Sequence, residues 1–526
     1  MANKTLFAGL RGALIPQANA VNSENAPAYE LAPKQALAQY AATGCFGRTF
    51  YATADEQLTR VLELCDALSK DGAAEFVARV TVYSRTQSFM KDMPALLCAW
   101  LAAREPRLHE AVFTRVIDNA RMLRTYVQIL RSGVVGRKSL GTAPKRLVRE
   151  WLASRDEEVL FSSSAGQSPS LPDIVKMVHP KPAGAKREAF YGYMLGRSHD
   201  ANALPKLVMQ FEQFKAGESL DVPDLPFMLL SALPLSQANW VSIAKNASWQ
   251  TTRMNLNTFA RHGVFDVPGL AAVIAARLRD VGEIRRARVF PYQLLTAFQN
   301  CDAAVPQEVR NALQDAMELA IANVPSIEGR VVVCPDVSGS MASPVTGHRR
   351  GSTTSVRCID VAALVAASVL RKNPDATVLP FEQAVVSVKL NSRDSVMTNA
   401  GRLASIGGGG TNCSAPVRLL NQRKAKADLV IFVSDNQSWV DYAKPEQGRG
   451  RGTALLAEWS KFRQGNPKAR LVCLDIQPNQ TTQAAERADI LNIGGFSDQV
   501  FEVISAFASG QLEADHWIAR IEAVAV

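Results

Sequence analysis

The apolar pattern of this chain changes class near residue 329, and that change limits the folds it can adopt. From about residue 35 to about residue 325, apolar side chains recur every three or four positions, as in the run Met122, Leu123, Tyr126, Val127 and Leu130. This period is typical of helices that bury one face. Proline and glycine separate the runs, which predicts short consecutive helices. About three hundred residues of this kind favour stacked, HEAT-like helix pairs (an α-solenoid) over a closed bundle.

Beyond residue 329, short β-branched apolar runs alternate with helical stretches. The predicted strands are Val331–Cys334, Ala376–Phe381, Val385–Leu390, Leu429–Val433, Leu471–Ile476 and Ile490–Ile493. Helices are expected between them, for example over Ile359–Arg371 and Thr453–Gln464. This alternation predicts a doubly wound α/β domain. We therefore divide the chain into a helical-repeat domain, residues 1–328, and an α/β domain, residues 329–526.

The composition is that of a globular protein without membrane spans. Of the 526 residues, 47% are hydrophobic and 21% are charged. The longest mainly apolar run, Val361–Leu370, is too short to cross a bilayer. The eight cysteines include no CxxC pair, which favours reduced thiols over a disulfide framework. We expect a cytoplasmic protein.

The first strand of the α/β domain leads directly into an Asp-x-Ser-x-Ser turn, in the sequence VVVCPDVSGS. Asp336, Ser338 and Ser340 can direct one carboxylate and two hydroxyls at a single hard cation, and no nitrogen or sulfur ligand favours zinc. Open α/β sheets also place their ligands at the carboxyl ends of strands. The alternative is a turn whose polar side chains bond only to their own backbone. The turn by itself leaves both interpretations open.

Two later segments favour the metal site. Gly407–Gly410 allows a close approach of the backbone and is followed by Thr411, and the strand Leu429–Val433 ends in Ser434 and Asp435. A phosphate-binding P-loop is the other interpretation of the glycines, but the Lys-Ser/Thr pair that follows a P-loop is absent. The second and third loops therefore add one hydroxyl and one carboxylate to the first.

This combination, in this order, resembles the metal-ion-dependent adhesion site (MIDAS) of von Willebrand factor A domains. The resemblance implies a divalent cation, expected to be Mg²⁺, whose open coordination position takes an acidic group from a partner. The ligands that it implies are Asp336, Ser338, Ser340, Thr411 and Asp435.

Positive charge is concentrated before residue 150. The net charge is +10, and residues 101–150 contain eleven Lys or Arg against four Asp or Glu, a surplus of seven. Arg121, Arg124 and Arg131 recur at near-helical spacing and can share a face that follows a phosphate backbone. Without base-reading geometry, such residues favour recognition of RNA shape and RNA ends. A solvated basic face without a partner is the alternative.

Several phrases of the helical part resemble the TROVE module of the Ro autoantigen family, and together with the α/β domain they cover nearly the whole chain in the family's order. They are TGCFGRTFYA at Thr43–Ala52, SGVVGRKSL at Ser132–Leu140 before the basic helix Lys145–Leu152, DIVKMVHPKP at Asp173–Pro182, TRMNLNTF at Thr252–Phe259, and ARVFPYQLLTAF at Ala287–Phe298. The resemblance implies a ring of helical repeats closed by a von Willebrand A domain.

The same resemblance implies a function. Members of this family bind small noncoding RNA, with single-stranded 3′ ends of misfolded RNA in the central hole and structured Y-type RNA on the basic outer surface. His179 is similar to the histidine of the Y RNA contact, and Lys176 occupies a nearby basic position. Where the family has basic residues upstream, this chain has FSSSAGQSP at Phe161–Pro169, so its Y RNA contact is expected to be weaker or differently placed.

The candidate RNA-binding residues combine the basic run with this phrase. They are Arg121, Arg124, Arg131, Arg137, Lys138, Lys145, Arg146, Lys176, His179 and Lys181. We expect a monomeric, non-enzymatic protein of RNA quality control that has small noncoding RNA as its partner and no membrane partner. Resemblance to bacterial members adds an exoribonuclease as a further partner.

Two other function classes remain as alternatives. The first is a protein-interaction scaffold that uses the metal site and binds no RNA. The second, a metal-dependent nuclease or phosphohydrolase, ranks last, because two-metal hydrolysis needs more clustered carboxylates than Asp336 and Asp435 supply.

Overall fold

The computed structural model describes residues 16–43, 48–49, 51–166, 169–287, 291–321, 324–348, 356–440, 452–495, 498–510 and 516–526. Within these ranges the α-helices are α1 Pro33–Thr43, α2 Ala54–Lys70, α3 Ala74–Thr86, α4 Asp92–Arg104, α5 Pro106–Val116, α6 Ala120–Ser132, α7 Thr142–Ala153, α8 Glu157–Ser162, α9 Leu171–Val178, α10 Ala185–Met194, α11 Lys206–Ala216, α12 Phe227–Leu230, α13 Gln237–Asn246, α14 Trp249–Met254, α15 Leu256–Arg261, α16 Leu270–Leu278, α17 Val281–Ala287, α18 Pro291–Gln299, α19 Gln307–Ile321, α20 Cys358–Lys372, α21 Val396–Ala404, α22 Ala415–Gln422, α23 Ala454–Gly465, α24 Asp498–Ala508 and α25 His516–Glu522. The strands are β1 Ala20–Val21, β2 Pro27–Glu30, β3 Val331–Pro335, β4 Thr377–Val378, β5 Leu429–Ser434, β6 Arg470–Asp475, β7 Thr481–Thr482 and β8 Ile490–Gly494.

The chain forms two compact units. One, here called the sheet unit, contains residues 1–90, 290–296 and 317–525, and the other, the helical unit, contains residues 91–289, 297–316 and 526. This grouping by packing differs from the predicted division after residue 328. From about residue 35 to residue 90 the pattern is helical, but these residues group with the sheet unit.

Short helices succeed one another through the helical unit, as the apolar period predicts, and α6 shows the local causes. The Asn119 side chain accepts a hydrogen bond from the Met122 N–H at the start of the helix. Gly133, at a φ of 89°, ends it in the left-handed conformation that favours glycine. Between them Met122, Leu123, Tyr126, Val127 and Leu130 are buried, which confirms the predicted stripe. No helix within the described ranges combines the length and apolar character needed to cross a membrane.

Five parallel strands form the main sheet of the sheet unit, in the order β4-β3-β5-β6-β8. β3 and β5 are buried along their whole length, as expected of parallel strands covered on both faces. After β3 the chain forms β4 on one side and then β5 on the other. The carboxyl end of β3 is therefore a switch point, where doubly wound sheets bind ligands. The predicted fold class is confirmed.

Two strand predictions need correction. Within Ala376–Phe381 the strand is limited to Thr377–Val378, and Phe381 adds an isolated parallel bridge to Asp336. The strand predicted over Val385–Leu390 was wrong: apart from an isolated bridge from Phe381 to Val385, this stretch has no strand pairing in the described chain. An alternating apolar run becomes a strand only where a neighbouring edge accepts its backbone hydrogen bonds. Here the bonded neighbour is the short segment that follows the two-residue β4, where the Pro380 carbonyl accepts from the Val386 N–H at 2.8 Å.

Residues before α1 contribute a small antiparallel sheet in which β2 pairs with both β1 and β7. Tyr29 of β2 is 5% exposed and belongs to the same apolar core as Val332, Phe432 and Trp459. Its hydroxyl donates a 2.8 Å hydrogen bond to the Pro16 carbonyl. The N-terminal segment is therefore part of the core of the sheet unit.

Candidate functional site

Three loops at the carboxyl end of the main sheet bring the predicted metal ligands together. Asp336 follows β3, Thr411 lies between α21 and α22, and Asp435 follows β5. All five predicted ligands are buried, the most exposed being Ser340 at 7%. Because parallel strands align their carboxyl ends, residues that are far apart in sequence meet at one edge of the sheet.

Hydrogen bonds orient the Asp336 carboxylate. The Ser338 N–H donates to Asp336 Oδ1 at 2.9 Å, and the Ser434 hydroxyl donates to Asp336 Oδ2 at 2.6 Å. The Asp336 N–H in turn donates to the Val433 carbonyl at 2.9 Å. The first loop is thus fixed to the end of β5 as well as to its own backbone.

The glycine run closes the site from the second loop. The Gly339 N–H donates to the Gly409 carbonyl at 3.0 Å. Gly409 has a φ of 67°, and a β-carbon there would lie 2.3 Å from a carboxylate oxygen of Glu382, so glycine is favoured at this position. The run places the Thr411 hydroxyl, which donates to Ser338 Oγ at 2.9 Å. The predicted close approach of the backbone is confirmed.

The third-loop carboxylate of Asp435 is buried and only partly satisfied by the described residues. Neither of its oxygens accepts a well-aligned hydrogen bond from the described residues. Burial raises the pKa of Asp435, and the nearby charge of Asp336 raises it further, while the Ser340 hydroxyl and the Gln437 backbone offset only part of the rise. Burial also raises the pKa of Asp336. Two buried carboxylates in one site are mutually unfavourable unless a proton or a cation compensates them.

The donor set fits a hard divalent cation. Two carboxylates and three hydroxyls offer oxygen only, and the Ser338 and Ser340 hydroxyl oxygens are 3.4 Å apart. The described residues contain no cluster of three or more His, Cys, Asp or Glu side chains arranged for a metal. A cation here would therefore depend on the hydroxyls as much as on the two carboxylates.

Residues outside the predicted ligand set also surround this site. Asp475, at the end of β6, is 1% exposed, and burial raises its pKa to about 8. It accepts a 2.8 Å hydrogen bond from Gln39 of α1 and a longer one from Asn436.

The Tyr51 hydroxyl is hydrogen-bonded to Ser340, and burial, followed by the charge of Asp435, raises the pKa of Tyr51 well above its usual range. In the sequence, only Asn436 could have been associated with the site, because it directly follows the predicted ligand Asp435.

The candidate RNA-binding residues all lie in the helical unit, on α6, α7 and α9 and on the loops that follow α6 and α9. Six of them have exposed or half-exposed side chains without a hydrogen bond or salt bridge to the described part of the chain: Arg121, Arg131, Lys138, Lys145, Lys176 and Lys181. Arg131 and Lys176, from different helices, both lie near enough to Asp173 to help lower its pKa, after the larger effect of its hydrogen bonds with Ser170.

The other three arginines of the set bond within the fold. Arg124 donates to the Ser163 carbonyl at 2.9 Å, and Arg137 donates to the Ala102 carbonyl at 2.6 Å. Arg146 bridges two glutamates at 2.8 and 2.9 Å. These side chains therefore carry structural contacts as well as positive charge.

His179 ends α9 in a left-handed conformation, with a φ of 48°. Its N–H donates to the Val175 carbonyl at 2.9 Å, and Pro180 follows. Because a residue before proline is disfavoured in the helical region, the helix stops here. The side chain is exposed. A non-glycine residue in this conformation carries strain of the kind that often marks a functional position.

A cavity of about 440 Å³ lies beside His179, with Arg149, Lys181 and Tyr191 also in its wall. Arg149 donates to the Val178 carbonyl, at the end of α9. The volume is in the range of small-ligand cavities, and positive side chains border it. Arg149 and Tyr191 were not among the predicted site residues, although Arg149 belongs to the basic run.

Comparisons with known proteins point to one family. Residues 330–508 match the family model described as the Ro60 vWA domain. The chain is 25% identical over 523 residues to RNA-binding protein RO60 of Deinococcus radiodurans, covering 92% of this chain and 94% of that relative. It is 23% identical over 252 residues to RNA-binding protein RO60 of Caenorhabditis elegans, covering 45% of this chain and 37% of that relative.

The fold agrees with these sequence comparisons. The crystal structure of the Deinococcus radiodurans RO (RSR) protein matches with a TM-score of 0.62 and 20% identity, covering 91% of this chain and 100% of that one. The resemblance predicted from the sequence is therefore confirmed: the chain is similar to Ro proteins over most of its length, and residues 330–508 match the Ro60 von Willebrand A domain.

Proposed function

We propose that this chain binds small noncoding RNA through the basic surface of the helical unit. The observation that carries the proposal is the set of six basic side chains that have no hydrogen bond or salt bridge to the described residues. Their charge is available to phosphates, whose neutralisation dominates the affinity of proteins for nucleic acids. The printed names of the relatives from Deinococcus radiodurans and Caenorhabditis elegans support the same class of ligand.

In this proposal the ligands are structured Y-type RNA on the basic surface and the single-stranded 3′ end of misfolded RNA at the opening of the helical repeats. His179, Lys181 and Arg149 border one cavity and can contact neighbouring phosphates of one RNA backbone. The protein would then serve RNA quality control, or present RNA to an exoribonuclease. The family resemblance and the distribution of unpaired charge support this finer assignment.

Filter binding with a hairpin RNA that carries a free 3′ tail tests the proposal. About six phosphate contacts predict a loss of roughly a thousandfold in affinity between about 50 and 200 mM salt. The same hairpin with its tail masked by a complementary strand serves as the control, and the proposal expects weaker binding to it. Affinity no better than that of a neutral protein, and independent of salt, would contradict RNA binding.

The three sheet loops support a second function, which we propose to be the binding of one Mg²⁺. Asp336, Ser338, Ser340, Thr411 and Asp435 would hold the cation, and the observation that favours it is the buried Asp435 carboxylate, which accepts no well-aligned hydrogen bond from the described residues. The cation would supply a Lewis acid for an acidic group of a partner. We propose recognition and not catalysis, because two carboxylates are fewer than two-metal hydrolysis uses. RNA cleavage that needs Mg²⁺ and disappears in Asp435→Ala would contradict a non-enzymatic role.

The scaffold alternative makes a separate prediction. If the metal site alone carried the function, Asp336→Ala would abolish capture of a protein partner, and no RNA would copurify with the wild-type chain. Sequencing of the RNA that copurifies with the full chain distinguishes the two functions, since the RNA-binding proposal predicts an enrichment of small structured RNAs.

A further inference from the structure

The turn that carries Tyr51 is held in place by its own hydrogen bonds. The Thr49 N–H donates to the Ala52 carbonyl at 2.9 Å, and the Ala52 N–H donates back to Thr49 Oγ1 at 3.1 Å. Gln57 of α2, which is 3% exposed, donates to the same hydroxyl at 3.4 Å. The Tyr51 side chain therefore projects from a supported turn.

This turn is joined to the chain segment that follows the first metal loop. Arg48 and His348 form an antiparallel bridge, in which the Arg48 N–H donates at 3.1 Å and the His348 N–H donates at 2.7 Å. The Tyr51 hydroxyl is hydrogen-bonded to the side chain of Ser340, in the first metal loop. Both partners belong to the sheet unit, although 289 positions separate Tyr51 from Ser340.

Another part of the N-terminal segment holds the third loop. The Asn22 side-chain amide donates to the Ser438 carbonyl at 2.6 Å, and the Ser23 N–H donates to Gln437 Oε1 at 2.9 Å. The loops that supply Ser340 and Asp435 are therefore both bonded to residues from the first fifty-one of the chain.

We propose that Tyr51 is a positioning residue of the metal site and that the N-terminal segment completes this site through it. A serine hydroxyl oxygen has two lone pairs. When the phenol donates to one of them, the other can face the cation, so Tyr51 sets the direction in which Ser340 offers its oxygen. The inference rests on the proposed metal site, and it deepens that proposal by adding a residue outside the motif.

The inference is tested by titrating the metal-stripped full chain with Mn²⁺ and measuring the binding affinity by calorimetry. Tyr51→Phe removes only the hydroxyl. Loss of a residue that orients a metal ligand typically weakens metal affinity by about tenfold or more, and we expect a loss of that size here. Tyr83→Phe is the matched control, because this buried tyrosine of the same unit bonds to Trp517 at 3.1 Å, away from the metal loops. Asp336→Asn reports whether binding occurs at the proposed site.

The outcomes separate the two claims. Weaker Mn²⁺ binding by Tyr51→Phe, with wild-type affinity in Tyr83→Phe and an unchanged unfolding midpoint in EDTA, supports the inference. Affinity of Tyr51→Phe within about twofold of wild type overturns the inference and leaves the metal site standing. Loss of affinity together with a lowered midpoint in EDTA also overturns it, since that combination indicates general destabilisation. No Mn²⁺ binding by the wild type, or unchanged binding by Asp336→Asn, contradicts the metal site itself, and the inference falls with it.

Discussion

The Thr411 hydroxyl donates a 2.9 Å hydrogen bond to the hydroxyl of Ser338, 73 positions earlier in the sequence. This bond joins the second loop to the first, just as the bond from Ser434 joins Asp336 to the end of β5. The hydroxyl oxygens are therefore grouped before any cation arrives. Binding to a preorganised group of ligands has a smaller ordering cost than binding to separate loops.

Replacing Asp435 by Asn is expected to separate metal binding from the stability of the fold. Because the wild-type carboxylate is buried near Asp336 without aligned donors, the metal-free variant should be more stable than the metal-free wild type, by about 1 to 3 kcal/mol. It should gain no stability from Mg²⁺. Urea unfolding in EDTA and in Mg²⁺ measures both effects.

Asp428 provides a matched control for that experiment. It lies just before β5, at the opposite end of the strand, and pairs with Arg330 at 2.9 Å. Asp428→Asn should therefore keep the full Mg²⁺ response. If Asp435→Asn were stabilised by Mg²⁺ as strongly as the wild type, the third-loop ligand would be misassigned.

Arg121 and Arg124, three positions apart on α6, are expected to differ in role. The Arg121 side chain has no hydrogen bond or salt bridge to the described residues, so Arg121→Gln should weaken RNA binding and lower the salt slope by about one, without changing stability. Arg124 holds the Ser163 carbonyl at 2.9 Å, so Arg124→Gln should also reduce the free energy of unfolding by about 1 kcal/mol. Thermal unfolding and filter binding of both variants test this difference in role. Equal stability of the two variants would contradict it.

His109 is expected to make the helical unit sensitive to acid. It is 1% exposed, and its Nε2 lies 2.9 Å from the Tyr126 hydroxyl. Burial, with a smaller effect from Arg137, lowers its pKa from 6.5 to about 4. Between these values the unfolded chain binds a proton that the folded chain does not. The contribution of neutral His109 to the free energy of unfolding is therefore complete above pH 6.5 and is lost as the pH falls toward 4. The complete loss amounts to about 3 kcal/mol.

Urea unfolding at neutral pH and near pH 4.5 tests this linkage. His109→Gln should show a smaller loss of stability on acidification than the wild type, because glutamine does not titrate. An identical loss in both proteins would exclude His109 as a source of the acid sensitivity.

Tyr29 is expected to tie the N-terminal segment to the stability of the sheet unit. Its ring lies in the core with Phe432 and Trp459, so Tyr29→Ala should cost about 3 to 5 kcal/mol. Tyr29→Phe, which loses the hydroxyl bonds to the Pro16 carbonyl and from the Thr453 N–H, should cost about 1 to 2 kcal/mol. Denaturant unfolding of the full chain, read from tryptophan fluorescence, measures both. A loss below 1 kcal/mol for Tyr29→Ala would contradict the grouping of residues 1–90 with the sheet.

The features that could be predicted from the sequence are those with a local signal. Asp336 and Asp435 each stand at the end of a buried strand, and the alignment of parallel strands then brings them together. The contact of Gln39 with Asp475 joins residues 436 positions apart, and nothing near either residue marks the pair. The different roles of Arg121 and Arg124 could not be predicted either, because they depend on which guanidinium reaches a carbonyl that is distant in sequence. Part of the phrase TGCFGRTFYA and part of ARVFPYQLLTAF lie outside the described residues.

The most direct test of RNA binding by the helical unit is the salt dependence of binding to one structured RNA with a free 3′ tail. The wild type, the double variant Lys176→Gln with Lys181→Gln, and Asp336→Asn should be compared in one assay. We predict that the double variant binds RNA about tenfold more weakly and that the slope of log affinity against log salt concentration falls by about two. Asp336→Asn should bind RNA as the wild type does. An unchanged slope in the double variant, or an equal loss in a folded Asp336→Asn protein, would contradict the assignment of RNA binding to the basic surface.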